Sequence, residues 1–327
     1  MLRVGLIGCG FMGQMHANCY KNIEGVQLAA VADIRKEKAE ALAEGTTAAI
    51  YGDGMELIEQ ADVDVIDICL PTFLHAKYAL AAMEKVHHLF VEKPVTLTIE
   101  EGEELIAKSK ECGCSVQIGQ VIRFWDEYVA LKEIADSKKY GRIINANFRR
   151  LSPRPDWGWQ DWLLDCSLSG GAGQDLHIHD VDYVLSLLGE PKAFYSVKNS
   201  MGEKNSYVHT LMQYDTCAVS VEGTWDLPST HPFEATFRVV FEDAVVENAG
   251  GKFMLYTKEK AEEIVLEKKQ LAGGEAAGGN ISDLGGYYNE LVYFCDCAKA
   301  GKKIERAELS SAVASLKFLM KELNFHA

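Results

Sequence analysis

The sequence predicts an α/β fold in two parts, a doubly wound parallel sheet followed by an α+β domain whose open sheet is largely antiparallel. Three observations carry this prediction. Six short apolar segments alternate with helical segments up to residue 118, a glycine-rich turn follows the first of them, and alternating, β-branched segments dominate from residue 194 to about residue 266. We therefore expect a domain at 1–120 and a second at 121–327, with the last helix packing back toward the first domain.

Composition excludes several classes of protein. The chain has 327 residues, of which 48% are hydrophobic and 25% charged, as in ordinary globular proteins. The net charge of -15 argues against nucleic-acid binding, because no basic surplus is present to neutralise phosphates. No stretch approaches the roughly 20 apolar residues of a membrane span, and the N-terminus does not resemble a signal peptide. The nine cysteines lack zinc-site or thioredoxin-type spacing, so a reducing cytoplasm is the expected compartment.

The first strand, Leu2 to Ile7, runs into a G-x-G-x-x-G turn and then a helix through Tyr20. These glycines permit the tight turn, let a pyrophosphate approach the backbone and let the helix pack on the strand. Free N–H groups at the helix start then face the phosphates. A bare match also fits an ordinary glycine-rich turn. The candidate residues of the motif are Gly8, Gly10, Phe11, Met12 and Gly13.

The second strand, Val26 to Ala32, ends at Asp33, twenty residues after Gly13. A carboxylate at this position accepts hydrogen bonds from the adenosine ribose hydroxyls and repels a 2′-phosphate. The strand, the turn and the acid together predict a Rossmann domain that binds NAD, with NADP disfavoured. Arg35 could soften this preference, although it also fits a solvated residue at a helix start.

The remaining strands of the parallel sheet are expected at 48–51, 63–70, 88–91 and 115–118, with helices at 54–60, 75–85 and 98–112. The loop from Pro71 to His75 follows a strand end, which is where open α/β sheets bind ligands. Lys93 also follows a buried strand and precedes a proline, which suits a group that is held still and aimed at something. Thr98, with Glu101 three residues later, is typical of a capping box.

The second half predicts a sheet with helices on one face. Strands are expected at 143–149, 208–214, 219–225, 235–241 and 244–246, and helices at 126–137, 170–188, 287–300 and 309–321. The other face of so large a sheet is rarely left bare, so a homodimer or homotetramer formed through it is expected. The glycine- and alanine-rich segment 272–279 is expected to form a mobile loop.

A loop between two predicted elements is unusually aromatic. It carries three tryptophans in six residues, at positions 157, 159 and 162, next to two prolines. Aromatic faces suit the C–H faces of sugars, which makes Trp157 and Trp162 candidate substrate contacts. A hydrophobic plug at a domain or subunit contact explains the loop equally well.

A helix opening after Gly170 carries the most polar constellation of the chain. Asp175 and His179 are four residues apart and therefore share a helix face. The carboxylate can orient the imidazole and stabilise its charged form, which makes His179 a plausible general base for a hydroxyl proton. An isolated pair of this kind is more often a structural ion pair. A metal site built from His177, His179 and Asp180 or Asp182 is disfavoured because 177 and 179 point to different faces, and no metal is predicted.

Taken together, these segments resemble the glucose–fructose oxidoreductase / inositol dehydrogenase / MocA family over nearly the whole chain. Four motifs stand in the order and rough spacing of that family, and the closing segment from Tyr287 to Leu291 also matches. The four are Gly8–Gly13, Pro71–Ala76, Glu92–Pro94, and the Asp175, His179, Asp182 set.

The resemblance implies roles for individual residues. Lys93 would lie near the nicotinamide and the reacting oxygen, and His179 would exchange the hydroxyl proton while Asp175 orients it. Arg123 would contact substrate, with a looser match, and Tyr287 is a weaker candidate. Many members carry glycine where this sequence has His177, which puts an extra polar group near the site. The residues implied to line or support the cofactor are Leu70, Pro71, Thr72, His75, Glu92, Lys93 and Gln120.

The resulting hypothesis is an NAD-dependent dehydrogenase that transfers a hydride between the nicotinamide and a secondary hydroxyl or ketone of a sugar, an inositol-like polyol or a glycoside. One alternative is a glycosidase or lyase that retains NAD and acts through transient oxidation of the sugar. The other is a non-catalytic sensor of sugar or cofactor. Retention of Lys93, Asp175 and His179 together argues against the sensor.

Overall fold

The computed structural model describes residues 1–199, 206–267, 271 and 284–325. The chain divides into two units, Met1–Val121 with Lys269–Ala314 and Ile122–Lys268 with Ser315–Ala327. The segment 272–279, predicted to be a mobile loop, lies outside the described residues.

The strands of the first unit are β1 (Leu2–Ile7), β2 (Val26–Ala32), β3 (Ala49–Tyr51), β4 (Val65–Ile68), β5 (His88–Val91) and β6 (Ser115–Ile118). Its helices are α1 (Phe11–Tyr20), α2 (Lys36–Ala43), α3 (Gly54–Gln60), α4 (Thr72–Met83), α5 (Ile99–Cys112) and α9 (Gly285–Ala300).

The first unit contains the predicted doubly wound sheet. Its six strands run in the order β3-β2-β1-β4-β5-β6 and pair in parallel. Ile7, the last residue of β1, pairs with Ala32 on one side and with Ile68 on the other. Because the order reverses between β1 and β4, the loops after these strands border the crevice in which such sheets bind ligands.

Helix boundaries in the first unit follow local chemistry. The predicted capping box is confirmed, because the Thr98 hydroxyl accepts a hydrogen bond from Glu101 N at 3.2 Å while the Glu101 carboxylate accepts one from Thr98 N at 3.0 Å. The prediction that α4 begins at His75 was wrong, since the helix begins at Thr72. Pro71 directly precedes it with a φ of -56°, and proline is tolerated there because the first helical N–H groups need no intrahelical partner.

The second unit contains an eight-stranded sheet in the order β14-β13-β12-β11-β7-β10-β9-β8. Among the strands that the structure describes, only the β7–β10 pair of this sheet is parallel, so the predicted largely antiparallel sheet is confirmed. Its strands are β7 (Ile143–Pro153), β8 (Ala193–Asn199), β9 (Tyr207–Gln213), β10 (Ala218–Leu227), β11 (Glu234–Phe241), β12 (Ala244–Ala249), β13 (Lys252–Thr257) and β14 (Ala261–Glu263). Its helices are α6 (Asp126–Ser137), α7 (Cys166–Ser169) and α8 (Ile178–Leu188), and the division between the units falls within α10 (Leu309–Leu323).

The two faces of this sheet differ. On one face, Tyr128 lies edge-on to Tyr183 at 4.8 Å and to Phe237 at 5.0 Å between ring centroids, and all three rings are buried. The opposite face exposes Ile144, Tyr195, Val197, Leu211 and Tyr256. Pairing of this face with a second subunit stays a prediction.

Within the described part of the chain, every helix is too short or too polar to cross a lipid bilayer.

Candidate functional site

The turn after β1 leaves room only for glycine at two positions. Gly8 has a φ of +96°, and a Cβ on it would lie 2.5 Å from the carbonyl oxygen of Cys69. A Cβ on Gly13 would lie 1.9 Å from the carbonyl oxygen of Gly8. The nearest atom to a Cβ on Gly10 is Nη2 of Arg35 at 3.7 Å. The turn is therefore tightly packed beneath and open above, as a phosphate-binding backbone requires.

Asp33 lies directly after β2 and is 7% exposed. Its carboxylate accepts hydrogen bonds from Cys9 N and Arg35 N, both at 2.8 Å, and from the Arg35 guanidinium at 3.0 Å. Burial opposes ionisation, but these hydrogen bonds outweigh it and lower the pKa of Asp33. The carboxylate is thus ionised at neutral pH and ties the glycine turn to the end of β2.

The loop after β4 is held by His75. This side chain is fully buried, with Nδ1 2.8 Å from the carbonyl oxygen of Pro94 and Nε2 2.7 Å from that of Leu70. Burial lowers the pKa of His75, so only one ring nitrogen carries a proton and only one contact is a true N–H donation. The ring therefore fastens the Leu70–Pro71 loop and the turn after β5, rather than presenting itself to a ligand. Thr72 is also buried.

The turn after β5 contains Glu92 and Lys93, and the Lys93–Pro94 peptide is cis. Glu92 is 4% exposed and its Oε2 accepts a hydrogen bond from Lys93 N at 3.1 Å, while Lys93 itself is partly exposed. A Cβ on Gly119 would lie 2.8 Å from Oε1 of Glu92. Gln120 follows β6, is 1% exposed, and donates its backbone N–H to Ile118 O at 2.6 Å. Glu92 and Gln120 are thus packed into the fold, and Lys93 is the accessible member.

In the second unit, the polar constellation opens on a wide π-helical turn, Gly173–His177, which leads directly into α8. Such turns are rare and occur often at functional sites. Asp175 lies in the turn and is partly exposed, and His179 lies in the first turn of α8 and is 8% exposed. This wider turn could not be predicted, because its residues also suit a regular helix.

Two further aspartates of α8 are fixed by arginines. Asp182 receives a two-pronged contact from Arg123, at 2.7 Å and 2.6 Å, and a hydrogen bond from the Ser315 hydroxyl at 2.7 Å. Asp180 is paired with Arg150 at 2.7 Å, and both side chains are almost completely buried. Both aspartates are therefore committed to holding α8, which leaves neither for the metal site weighed from the sequence. Arg123, expected to contact substrate, is engaged with Asp182.

His177, the departure from the family pattern, is completely buried and faces away from solvent. A Cβ on Gly223 of β10 would lie 2.7 Å from its Nδ1. Its Nε2 is 3.7 Å from Oε1 of Glu322, which is also completely buried. His177 is therefore packed between the sheet and α10 within the second unit.

The aromatic loop begins later than predicted, because the strand before it is longer. β7 was expected to end at Arg149 but continues to Pro153, because Leu151 still pairs with β11 and Pro153 with β10. Beyond it, the Trp157 side chain is 42% exposed and Trp162 is partly exposed. An exposed tryptophan face is available to a ligand or to another protein surface.

A buried polar cluster in the first unit was missed from the sequence. It joins His16 of α1, Asp67 of β4, Glu92 after β5 and Glu290 of α9. One signal was present, because Asp67 interrupts an apolar strand and a buried carboxylate requires partners. The partners themselves are far away in sequence and could not be identified.

Comparison with known families gives two matches. A model described as an oxidoreductase family with an NAD-binding Rossmann fold, GFO_IDH_MocA, matches residues 2–120. A model of the GFO/IDH/MocA C-terminal domain matches residues 128–247.

Individual proteins are also similar to the chain. A myo-inositol 2-dehydrogenase of Thermotoga maritima is 30% identical over 193 residues, which is 58% of this chain and 55% of the relative. A scyllo-inositol 2-dehydrogenase (NAD(+)) of Bacillus subtilis is 27% identical over 92% of this chain and 87% of the relative. For the first two curated relatives, the chain spans little more than half of their length. An oxidoreductase from Agrobacterium radiobacter, solved with NAD+, L-tartaric acid and magnesium, superimposes with a TM-score of 0.85 at 16% identity, covering 98% of this chain and 94% of the other.

Proposed function

The chain belongs to the GFO/IDH/MocA family of oxidoreductases, and from this premise we propose that it is an NAD-dependent dehydrogenase acting on a secondary hydroxyl of a sugar or an inositol-like polyol. The observation that carries the proposal is the glycine turn at the β1–β4 crevice, closed by an ionised Asp33. The inositol dehydrogenase names of the relatives favour a cyclic polyol as the substrate class.

The residues of the first unit fit a dinucleotide. The N–H groups of the Gly8–Gly13 turn would hold the pyrophosphate, since Gly10 leaves open space above the backbone. Asp33 would hold the adenosine ribose, and the loops at Leu70–Thr72 and Gln120 would border the nicotinamide half. When bound, NAD supplies the hydride acceptor.

The chain's own residues would handle the proton. His179 would take it from the substrate hydroxyl, and Asp175 would orient the imidazole and stabilise its charged form. The Lys93 ammonium would donate a hydrogen bond to a substrate oxygen and stabilise negative charge on it. Arg123 would act through Asp182 by holding α8, and Trp157 and Trp162 would offer ring faces to the sugar.

A substrate panel tests the proposal. The purified protein is mixed with NAD and, separately, with myo-inositol, scyllo-inositol, common hexoses and their methyl glycosides, and nicotinamide absorbance is followed. We expect reduction of NAD with at least one cyclic polyol or sugar. Absence of reduction across the panel would contradict the dehydrogenase. Cleavage of an aryl glycoside without accumulation of NADH would instead favour the glycosidase alternative.

Cofactor preference depends on the Asp33–Arg35 pair. In Asp33→Ser, the negative charge is lost and the Arg35 guanidinium becomes available to a 2′-phosphate. Because hydrogen bonds to charged groups contribute about 1.5–3 kcal/mol, the ratio of kcat/KM for NAD to that for NADP should fall by roughly 10–100-fold. Glu37→Ser, which removes a nearby exposed carboxylate on α2, should leave the ratio unchanged. If the NAD-to-NADP ratio of kcat/KM were the same in Asp33→Ser and the parent, Asp33 would not discriminate between the two cofactors at the ribose.

A further inference from the structure

The buried cluster of the first unit is unusually acidic for its depth. Asp67 and Glu290 are completely buried and Glu92 is 4% exposed, while His16, also completely buried, lies among them. The ligand atoms of His16, Glu92 and Glu290 lie within 4.8 Å of one another. This cluster has no part in the proposed proton transfer, so its composition requires a separate explanation.

The part of the cluster around Asp67 is fully hydrogen-bonded. Asp67 Oδ2 lies 2.8 Å from His16 Nδ1 and accepts a hydrogen bond from the Tyr20 hydroxyl at 2.8 Å. The Cys69 thiol donates to the other oxygen at 3.4 Å. The same sulfur lies 3.2 Å from His16 Nδ1, so it belongs to the Asp67 side of the imidazole. The contact with Asp67 therefore favours the tautomer of His16 that carries its proton on Nδ1.

On the opposite side of the imidazole, where Glu92 and Glu290 lie, the cluster consists of hydrogen-bond acceptors. Nε2 of His16 points to Oε1 of Glu92 at 3.1 Å. Among the described residues, Glu92 Oε1 and both carboxylate oxygens of Glu290 have no hydrogen-bond donor of acceptable geometry. Buried carboxylate oxygens without donors are costly. An imidazole nitrogen and two carboxylates that face one another, with an aspartate behind the imidazole, form a set that a cation would satisfy.

We propose that His16 Nε2, Glu92 and Glu290 form a buried site for a divalent first-row transition metal, with Asp67 orienting the imidazole. One nitrogen and two carboxylate ligands suit Zn²⁺ and its neighbours in the series better than Cu⁺, which selects sulfur. Because Glu92 also accepts the Lys93 N–H, the metal would fix the turn that carries Lys93.

Metal binding is measured on the full-length protein, loaded by refolding with Zn²⁺ or Co²⁺ after chelation and then dialysed. We expect about one ion per chain, and a Co²⁺ spectrum without a sulfur charge-transfer band. Because nitrogen and carboxylate ligands must be deprotonated to bind, affinity for Zn²⁺ should rise with pH below neutrality. These readouts are independent of dehydrogenase activity, so they can fail while the proposed function holds.

The decisive variant is Glu290→Gln, which keeps the shape and neutrality of a protonated carboxyl group while removing the ligand. We expect it to fold and to bind no metal. Glu322→Gln is the matched control, because Glu322 is also a buried carboxylate next to a histidine but lies in the other unit; it should keep full binding. Three results would overturn the site: equal metal uptake by the parent and both variants, no metal uptake by the parent, or a Zn²⁺ affinity of the parent that does not change with pH. The second and third results are measured on the parent alone, so they do not depend on the folding of a variant.

Discussion

Replacing His179 by asparagine should lower kcat for polyol oxidation by about 10²–10⁴-fold, the range that a positioned general base contributes. Asparagine retains much of the volume and polarity of the imidazole but cannot accept the hydroxyl proton. The side chain is 8% exposed at the start of α8, and asparagine is polar and smaller than histidine, so the substitution introduces no clash that would unfold the unit. Binding of NAD, measured by fluorescence titration, should be unchanged, because the glycine turn and Asp33 belong to the first unit.

His209→Asn provides the matched control. His209 lies on β9 of the same unit and is exposed, so this variant should retain full activity. If His179→Asn retained kcat within a few-fold of the parent, the proton would have another acceptor and the assignment of His179 would be wrong. A parallel loss of NAD affinity would point instead to a structural effect of the substitution.

Asp180→Ala should cause the largest loss of stability. Its carboxylate is paired with Arg150 at 2.7 Å, both side chains are at most 3% exposed, and the guanidinium also lies 5.6 Å from the ring centroid of Trp125. Removing the aspartate leaves a buried cation without its counter-charge, which costs about 3–5 kcal/mol. We expect this decrease in the free energy of unfolding in a urea titration that monitors the second unit by tryptophan fluorescence.

An exposed ion pair in the same unit provides the control for the buried Asp180–Arg150 pair. Arg142 and Glu242 form an ion pair at 2.6 Å with side chains 69% and 39% exposed. Glu242→Ala should therefore change the urea midpoint only slightly, because water screens exposed pairs. Equal midpoints for Asp180→Ala and Glu242→Ala would mean that burial does not amplify the interaction of Asp180 with Arg150.

Much of the fold could be predicted because it depends on local patterns. Short apolar runs placed β1, β2, β5 and β6 at their observed limits, and the Thr98 capping box placed the start of α5. Boundaries that depend on pairing with distant strands were less predictable. β7 extends to Pro153 because two neighbouring strands continue beside it, which no local signal in the tryptophan loop discloses.

The candidate site was predictable to the extent that its residues lie in contiguous motifs. The glycine turn and Asp33 could be assigned because the chemistry of each is readable within about thirty residues. The partners of Arg123 and Arg150 lie 59 and 30 residues away, and those of His16 come from three further elements. Such pairs are specified by tertiary packing, so composition and spacing do not reveal them.

The contact between His177 and Gly223 links two positions 46 residues apart in the sequence. The imidazole occupies the volume that a side chain on β10 would otherwise fill, so neither position can change freely while the other stays as it is. A methyl group at 223 would collide with the imidazole of His177 and would also lie 3.2 Å from its Cα. The absence of a side chain at 223 therefore makes room for the imidazole, and the effects of substitutions at the two positions on stability should not be additive.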